Sequence, residues 1–158
     1  MSTLLLDPIP EVRVRPPLDL AQVAERAADR EYRTMLNAYQ HRGGLMSSDT
    51  VAECLRRTHP QPLSRLARWI VARSVVIVQW HGRTLVPLFQ FTPCDWSVRA
   101  DVARVLDELR DTFDDWELAL WFVTPNIWLE SRLPLECVGA DDLELLHAAR
   151  ADRYIAHG

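Results

Sequence analysis

The chain contains no lysine, so all 18 of its basic residues are arginines. Every fixed cation is therefore a planar guanidinium that can fork onto a phosphate or a carboxylate. Cysteine is scarce as well. Cys54, Cys94 and Cys137 are odd in number and widely spaced, with no C-x-x-C pair. That argues against a disulfide framework or a zinc site and fits reduced thiols. No apolar run approaches the ~18 residues that span a bilayer. The start, Met1 to Asp7, has neither the basic residues nor the apolar length of a secretory signal. A cytoplasmic protein without membrane attachment is expected. With five glycines, the chain has no Gly-rich phosphate loop and no G-x-S-x-G. His41, His59, His81, His147 and His157 are scattered, none four residues from another histidine or a cysteine. The carboxylate pairs Asp114-Asp115 and Asp141-Asp142 fall at helix starts, where the positive end of the helix dipole accounts for them. No catalytic residues, no metal and no organic cofactor are expected, and the chain does not read as an enzyme.

What is present is unevenly distributed. Apolar residues make up 48% of the 158, with six tryptophans, enough to bury a core in one domain or two small subdomains. Residues 1–91 hold 12 arginines against 8 carboxylates, and residues 92–158 hold 6 against 14. A basic front and an acidic back suit two parts that meet different partners.

Residues 1–18 carry Pro8, Pro10, Pro16 and Pro17 and read as an extended arm. Over 19–41, apolar residues from Leu20 to Tyr39 recur at spacings of three and four, predicting a helix. Asp19 with Gln22 forms a candidate capping box, and Gly43-Gly44 ends the helix. Ser47-Ser48 is expected to cap a short helix carrying Val51, Ala52 and Leu55. Thr58 to Gln61 forms a turn, and Pro62 opens a second helix to about Ala72 with Leu66, Ala67 and Ile70 inward. Two short helices about a tight turn fit a helix-turn-helix. His81-Gly82 between two β-rich runs predicts a hairpin that pairs Trp80 with Arg83, Val78 with Leu85 and Ile77 with Val86. After Thr92-Pro93, a helix is expected from about Ser97 to Phe113. Asp114 with Glu117 caps the next helix, and Asp141 with Glu144 caps a last one carrying Leu143, Leu145, Leu146, Ala149 and Tyr154. The expected fold is mainly α: a helix-turn-helix with a small β-hairpin wing over 19–91, then an all-helical bundle over 92–158.

In a helix-turn-helix the second helix enters the major groove by its N-terminal residues. Here these are Gln61, Ser64, Arg65 and Arg68. Arginine can fork to guanine and glutamine to adenine, and either can hold phosphate. Arg73, with Arg56, Arg57 and Arg83, could add flanking phosphate contacts. Useful affinity from so small a module implies a homodimer on paired half-sites of operator DNA.

The stretch Trp121 to Leu135 is organised by two proline corners. Pro125 stops one helix and can equally start the next turn as its first residue, with Thr124 as N-cap, and Pro134 repeats the device. The pattern is Trp121, three residues, Pro125-Asn126, two residues, Leu129, four residues, Pro134-Leu135, then an acidic helix. It resembles the toxin-binding domain of the Xre/MbcA/ParS antitoxins. Glu130-Ser131 stands where that family usually has a glycine pair. Pro87-Leu88-Phe89-Gln90-Phe91 resembles the strand that precedes the domain in some members. The resemblance implies a type II antitoxin whose C-terminal half binds a toxin, most often a RES-domain enzyme that destroys NAD, and whose end occludes the toxin's active site. It implies that Trp121, Pro125, Asn126, Leu129 and Pro134 define the binding fold. By location, Arg150, Arg153 and Tyr154 at the end of the last helix are candidates for the occluding contact. A second reading is a stand-alone winged helix-turn-helix regulator whose C-terminal bundle dimerises.

Overall fold

The computed structural model describes residues 19–158, so the expected arm over 1–18 lies outside the described residues. The chain runs through α1 (Leu20–Gln40), β1 (Leu45–Ser47), α2 (Ser48–Leu55), α3 (Pro62–Val71), β2 (Val78–Trp80) and β3 (Arg83–Pro87). It continues through a 3-10 turn at Leu88–Gln90, α4 (Ala100–Leu109), α5 (Asp115–Val123), a 3-10 turn at Ile127–Leu129, α6 (Pro134–Cys137) and α7 (Asp142–His157). The protein is mainly helical, with one small antiparallel sheet of strand order β1-β3-β2.

Local signals explain most boundaries. Asp19 caps α1 by accepting from the Ala21 N–H at 3.0 Å, without the reciprocal bond expected from Gln22. Gly43 and Gly44 follow at φ 97° and 80°, a left-handed reversal that glycine adopts without a Cβ penalty. Ser47 caps α2 through the Thr50 N–H. Pro62 starts α3, where its missing N–H costs nothing. The capping box of Asp114 and Glu117 forms at the head of α5, with both bonds at 2.8 Å.

The hairpin pairs Trp80 with Arg83 and Val78 with Leu85 as expected, but the ladder stops there and Ile77 does not pair with Val86. Val86 pairs instead with Met46 of β1. Upstream of β2 the ladder is replaced by one side chain. Gln90 is fully buried; its Oε1 accepts from the Val76 N–H, and its Nε2 donates to the Val76 and Pro87 carbonyls. An amide that satisfies a strand's buried backbone groups does the work of a neighbouring strand.

Two hydrophobic clusters result. The larger joins Met35 and Tyr39 of α1 to Val102, Leu106, Phe122, Leu129, Leu135 and Leu145 of the bundle. The smaller holds Val51, Leu55, Leu66, Val86 and Phe91. Residues 75–78 form the wall between them. Val76 and Val78 face the larger cluster, while Val75 and Ile77 face the smaller. That alternation is the two-residue period of an extended chain buried on both sides. Helix α1 therefore packs with the bundle and against α5, instead of with the short helices that share its half of the expected 19–91 unit.

Three further expectations are corrected. Helix α4 begins at Ala100, not Ser97, because Val98 is drawn into an antiparallel bridge with Phe91. On α3, Ala67 faces solvent, and Trp69 turns inward against Phe91 at 6.0 Å between centroids. Asp141 makes no cap bond to α7; its carboxylate, with that of Glu144, binds Arg132.

Candidate functional site

Two surfaces carry the residues singled out from the sequence. The first is the outer face of α3. Leu66 is buried against α2, which leaves Ser64 and Arg68 on the opposite side, exposed, with Gln61 exposed just ahead of the helix. Arg65 is half-buried, its guanidinium 5.7 Å from the Trp69 ring centroid, a cation–π distance. Arg68 Nε donates to the Ser64 carbonyl at 3.3 Å, a weak local bond. Neither Arg65 nor Arg68 has a carboxylate partner among the described residues. Arg73 is differently placed. At φ 52°, just beyond α3, it turns toward the bundle. Its Nε donates to Asp115 at 2.9 Å, Nη2 to the Phe113 carbonyl at 2.6 Å, and Nη1 to the Arg110 carbonyl. With its donors committed in this way, Arg73 ties the short helices to the head of α5, a correction to the expected phosphate contact.

The second surface is the corner after α5. Trp121 is 9% exposed and Asn126 8%, and both reach one carboxylate on α7. Trp121 Nε1 donates to Asp152 Oδ2 at 2.7 Å, and Asn126 Nδ2 donates to the same oxygen at 2.6 Å. Trp128 Nε1 donates to the other oxygen at 3.1 Å. Asn126 also shapes its own turn. Its Oδ1 accepts from the Trp128 N–H, and its backbone carbonyl accepts from Leu129 and Ser131. Glu130 and Ser131 then take φ 55° and 64°, the left-handed pair that glycines would adopt without strain. Leu129 and Pro134 are buried and Pro125 is exposed. The corner so held presents Ile127, 76% exposed, and Trp128, 50% exposed. Ile155, also exposed, lies one helical turn beyond Asp152 on α7.

The structure separates the roles of the expected residues. Trp121, Asn126, Leu129 and Pro134 hold the corner and offer little surface. The exposed Ile127 and Trp128 are not among the residues that the motif singles out. Asp152 was missed, yet it gathers three donors. The signal for it was indirect: two tryptophans and an asparagine in an apolar stretch need an acceptor.

Helix α7, which carries Arg150, Arg153 and Tyr154, runs to His157 and packs along α4. Arg150 Nε lies 2.8 Å and Arg153 Nη1 2.5 Å from the carboxylate of Glu108. Tyr154 alone of the three candidates is free, 79% exposed.

Ion pairing is lopsided. All six arginines of residues 92–158 pair with carboxylates of that half. Among the described residues before 92, Arg56, just beyond α2, pairs back to Glu53, and Arg73 pairs across to Asp115. No group of His, Cys, Asp and Glu among the described residues could hold a metal ion. No helix among them is long and apolar enough to cross a membrane. Comparison with protein-family models, with curated proteins and with solved structures finds no match to this chain.

Proposed function

We propose that this chain is the antitoxin of a type II toxin–antitoxin pair. In this reading its C-terminal half binds and neutralises a cognate toxin of the RES-domain, NAD-degrading kind. The motif from Trp121 to Leu135 motivates the assignment. The observation that carries it is the corner held by Asp152. Buried donors converge on one carboxylate, and the result is an exposed isoleucine and tryptophan fixed on a rigid turn. Large exposed apolar side chains on a braced element suit a protein partner, and tryptophan is among the residues that concentrate binding energy. Toxin contact then falls on Ile127, Trp128, Tyr154 and Ile155. Arg150 and Arg153 border this patch while paired with Glu108, whose side chain is only 15% exposed.

In the same reading, α2, α3 and the β2–β3 hairpin act as a helix-turn-helix with its wing. Gln61, Ser64, Arg65 and Arg68 read operator DNA, and two copies bind paired half-sites to repress the operon. The free arginines of this face also favour the second reading, a stand-alone transcriptional regulator whose bundle dimerises.

Co-expression with a candidate RES-domain toxin from the same genome tests the first reading. The wild-type chain should restore growth and cellular NAD. Trp128→Ser with Ile127→Asp should stay folded, keep DNA binding and lose protection. Full protection by the double variant would remove the corner from the interface. Operator binding without any toxin binding by the wild-type chain would leave the regulator.

A further inference from the structure

A cleft of about 690 Å³ opens where the end of α1, the turn after β3 and the α6–α7 corner meet. Small-molecule sites commonly fall between about 300 and 1,000 Å³ and combine apolar walls with a few fixed polar groups. The walls here are Leu88, Phe91 and Trp96, and the rings of Phe91 and Trp96 lie 5.7 Å apart. Trp96 holds φ 56°, a left-handed backbone that a bulky residue rarely adopts. Strain of this kind persists where surrounding structure enforces it, and it clusters at ligand sites.

The polar groups are two arginines, each held in place with donors to spare. Arg42 Nη2 donates to the carbonyls of Leu135 at 2.8 Å and Val138 at 2.7 Å, and its Nε and Nη1 make no bond among the described residues. Arg99 Nε donates to Asp101 at 3.3 Å, and its two terminal nitrogens are likewise unbonded there. Gly139 makes room for it, since a Cβ at that position would lie 2.5 Å from Arg99 Nη2. No carboxylate lines the cleft. Two carboxylates bonded to its lining residues are already engaged. Asp101 accepts from the Val102 and Gly139 N–H groups as well as from Arg99, and Asp95 accepts from Thr92 and Ser97.

We propose that this cleft binds a small, flat, apolar molecule carrying one anionic group, with the anion between Arg42 and Arg99 and the flat body against Phe91 and Trp96. Pre-positioned guanidinium forks suit carboxylates and phosphates alike. The site lies apart from the α3 face and from the Trp128 corner, and the proposal stands without either.

The test is an NMR titration of the ¹⁵N-labelled full chain with three probes of one shape: naphthalene-2-carboxylate, 2-naphthyl phosphate and 2-naphthylmethanol. The two anions should shift the Gly43 and Gly139 amides and the Trp96 indole saturably, and leave the Trp128 indole still. The stronger of the two identifies the preferred anion. The neutral alcohol should bind at least ~10-fold more weakly, the usual scale for one lost charge-assisted bond. Arg42→Gln and Arg99→Gln, checked for an otherwise unchanged spectrum, should each weaken the anions by a similar factor. Equal binding of the alcohol would reduce the cleft to an apolar surface. Absence of saturable shifts at these three reporters would eliminate the site. Neither result depends on a variant folding.

Discussion

Replacing Asp152 with alanine should destabilise the whole C-terminal half, because one carboxylate serves three donors. Trp121 Nε1 and Asn126 Nδ2 sit in residues under a tenth exposed, so neither finds water easily once the acceptor is gone. Leaving a buried donor unsatisfied costs about 1–3 kcal/mol. Trp128 is half exposed and its indole can bond to solvent, so it adds little. The expected loss is therefore about 3–4 kcal/mol, a large part of a typical ~5–15 kcal/mol. For a chain of this length each kcal/mol moves the melting point by about 2–4 °C, so Tm should fall by about 10 °C. Urea unfolding followed by circular dichroism should show a lower midpoint with an unchanged slope, the mark of a stability change without a change in the surface exposed. Asp152→Asn keeps one carbonyl acceptor and should lose about half as much. Truncation after Ala149 removes the same carboxylate and should be at least as damaging, even though the deleted residues are mostly exposed. An Asp152→Ala protein melting within about 2 °C of wild type would mean that the two donors are satisfied elsewhere, and the account of the corner would be wrong.

If the α3 face binds operator DNA as proposed, Arg65→Ala with Arg68→Ala should weaken that binding and lower the slope of log affinity against log salt by up to ~2, one for each lost phosphate contact, with at most a small fall in Tm from the lost Arg65–Trp69 contact. Hydrogen bonds from the Thr92 hydroxyl and from Ser97 hold the Asp95 carboxyl down to about 2. Its contribution to stability is thus complete above the ordinary carboxylate value and lost as pH falls toward 2, and Thr92→Val should move the NMR titration midpoint of Asp95 upward. Burial pushes the Cys137 thiol up, so a thiol reagent should label exposed Cys94 in the native protein and reach Cys137 only on unfolding. Tyr39→Phe removes a buried 2.7 Å bond from the phenol to the Ala119 carbonyl and should cost about 1 kcal/mol in urea unfolding.

The elements legible from sequence were those with a local cause. The hairpin register follows from His81-Gly82, the start of α5 from Asp114 and Glu117, and the start of α3 from Pro62. Each is fixed by groups within a few residues of one another. The elements that escaped depend on distant partners. Strand β1 is three residues long, too short to show a period, and exists because β3 has a second edge. Val98 fits the helical spacing of α4 equally well, and only its bridge to Phe91 excludes it. Asp141 and Glu144 have the spacing of a capping box, but Arg132 competes for both carboxylates. Leu143 has an apolar side chain and a plausible helical position, yet it is 71% exposed, because the buried face of α7 runs through Leu145, Ala148, Ala149 and Asp152. On that face the small alanines admit α4 closely and the acid anchors the corner. Leu145 and Ala149 lie on the buried face as expected, Leu146 is half-buried, and Leu143 and Tyr154 are exposed.

The charge asymmetry in the sequence has a structural counterpart that sharpens what it implies. Had the basic half neutralised the acidic half, cross-half ion pairs would be common. Among the described residues there is one, Arg73 with Asp115. The acidic half instead spends its own six arginines on its own carboxylates, and still carries more acids than arginines. The basic half keeps Arg57, Arg65, Arg68 and Arg83 without carboxylate partners among the described residues. On the proposed reading these unpaired guanidinium groups are available to a polyanion, which would release its own counterions on binding. The acidic surplus faces the opposite requirement, and a basic surface on a partner would meet it. The wall of Val75 to Val78, packed on both sides, joins the two surfaces in one body. A partner at either surface therefore acts on a chain whose other surface is already oriented.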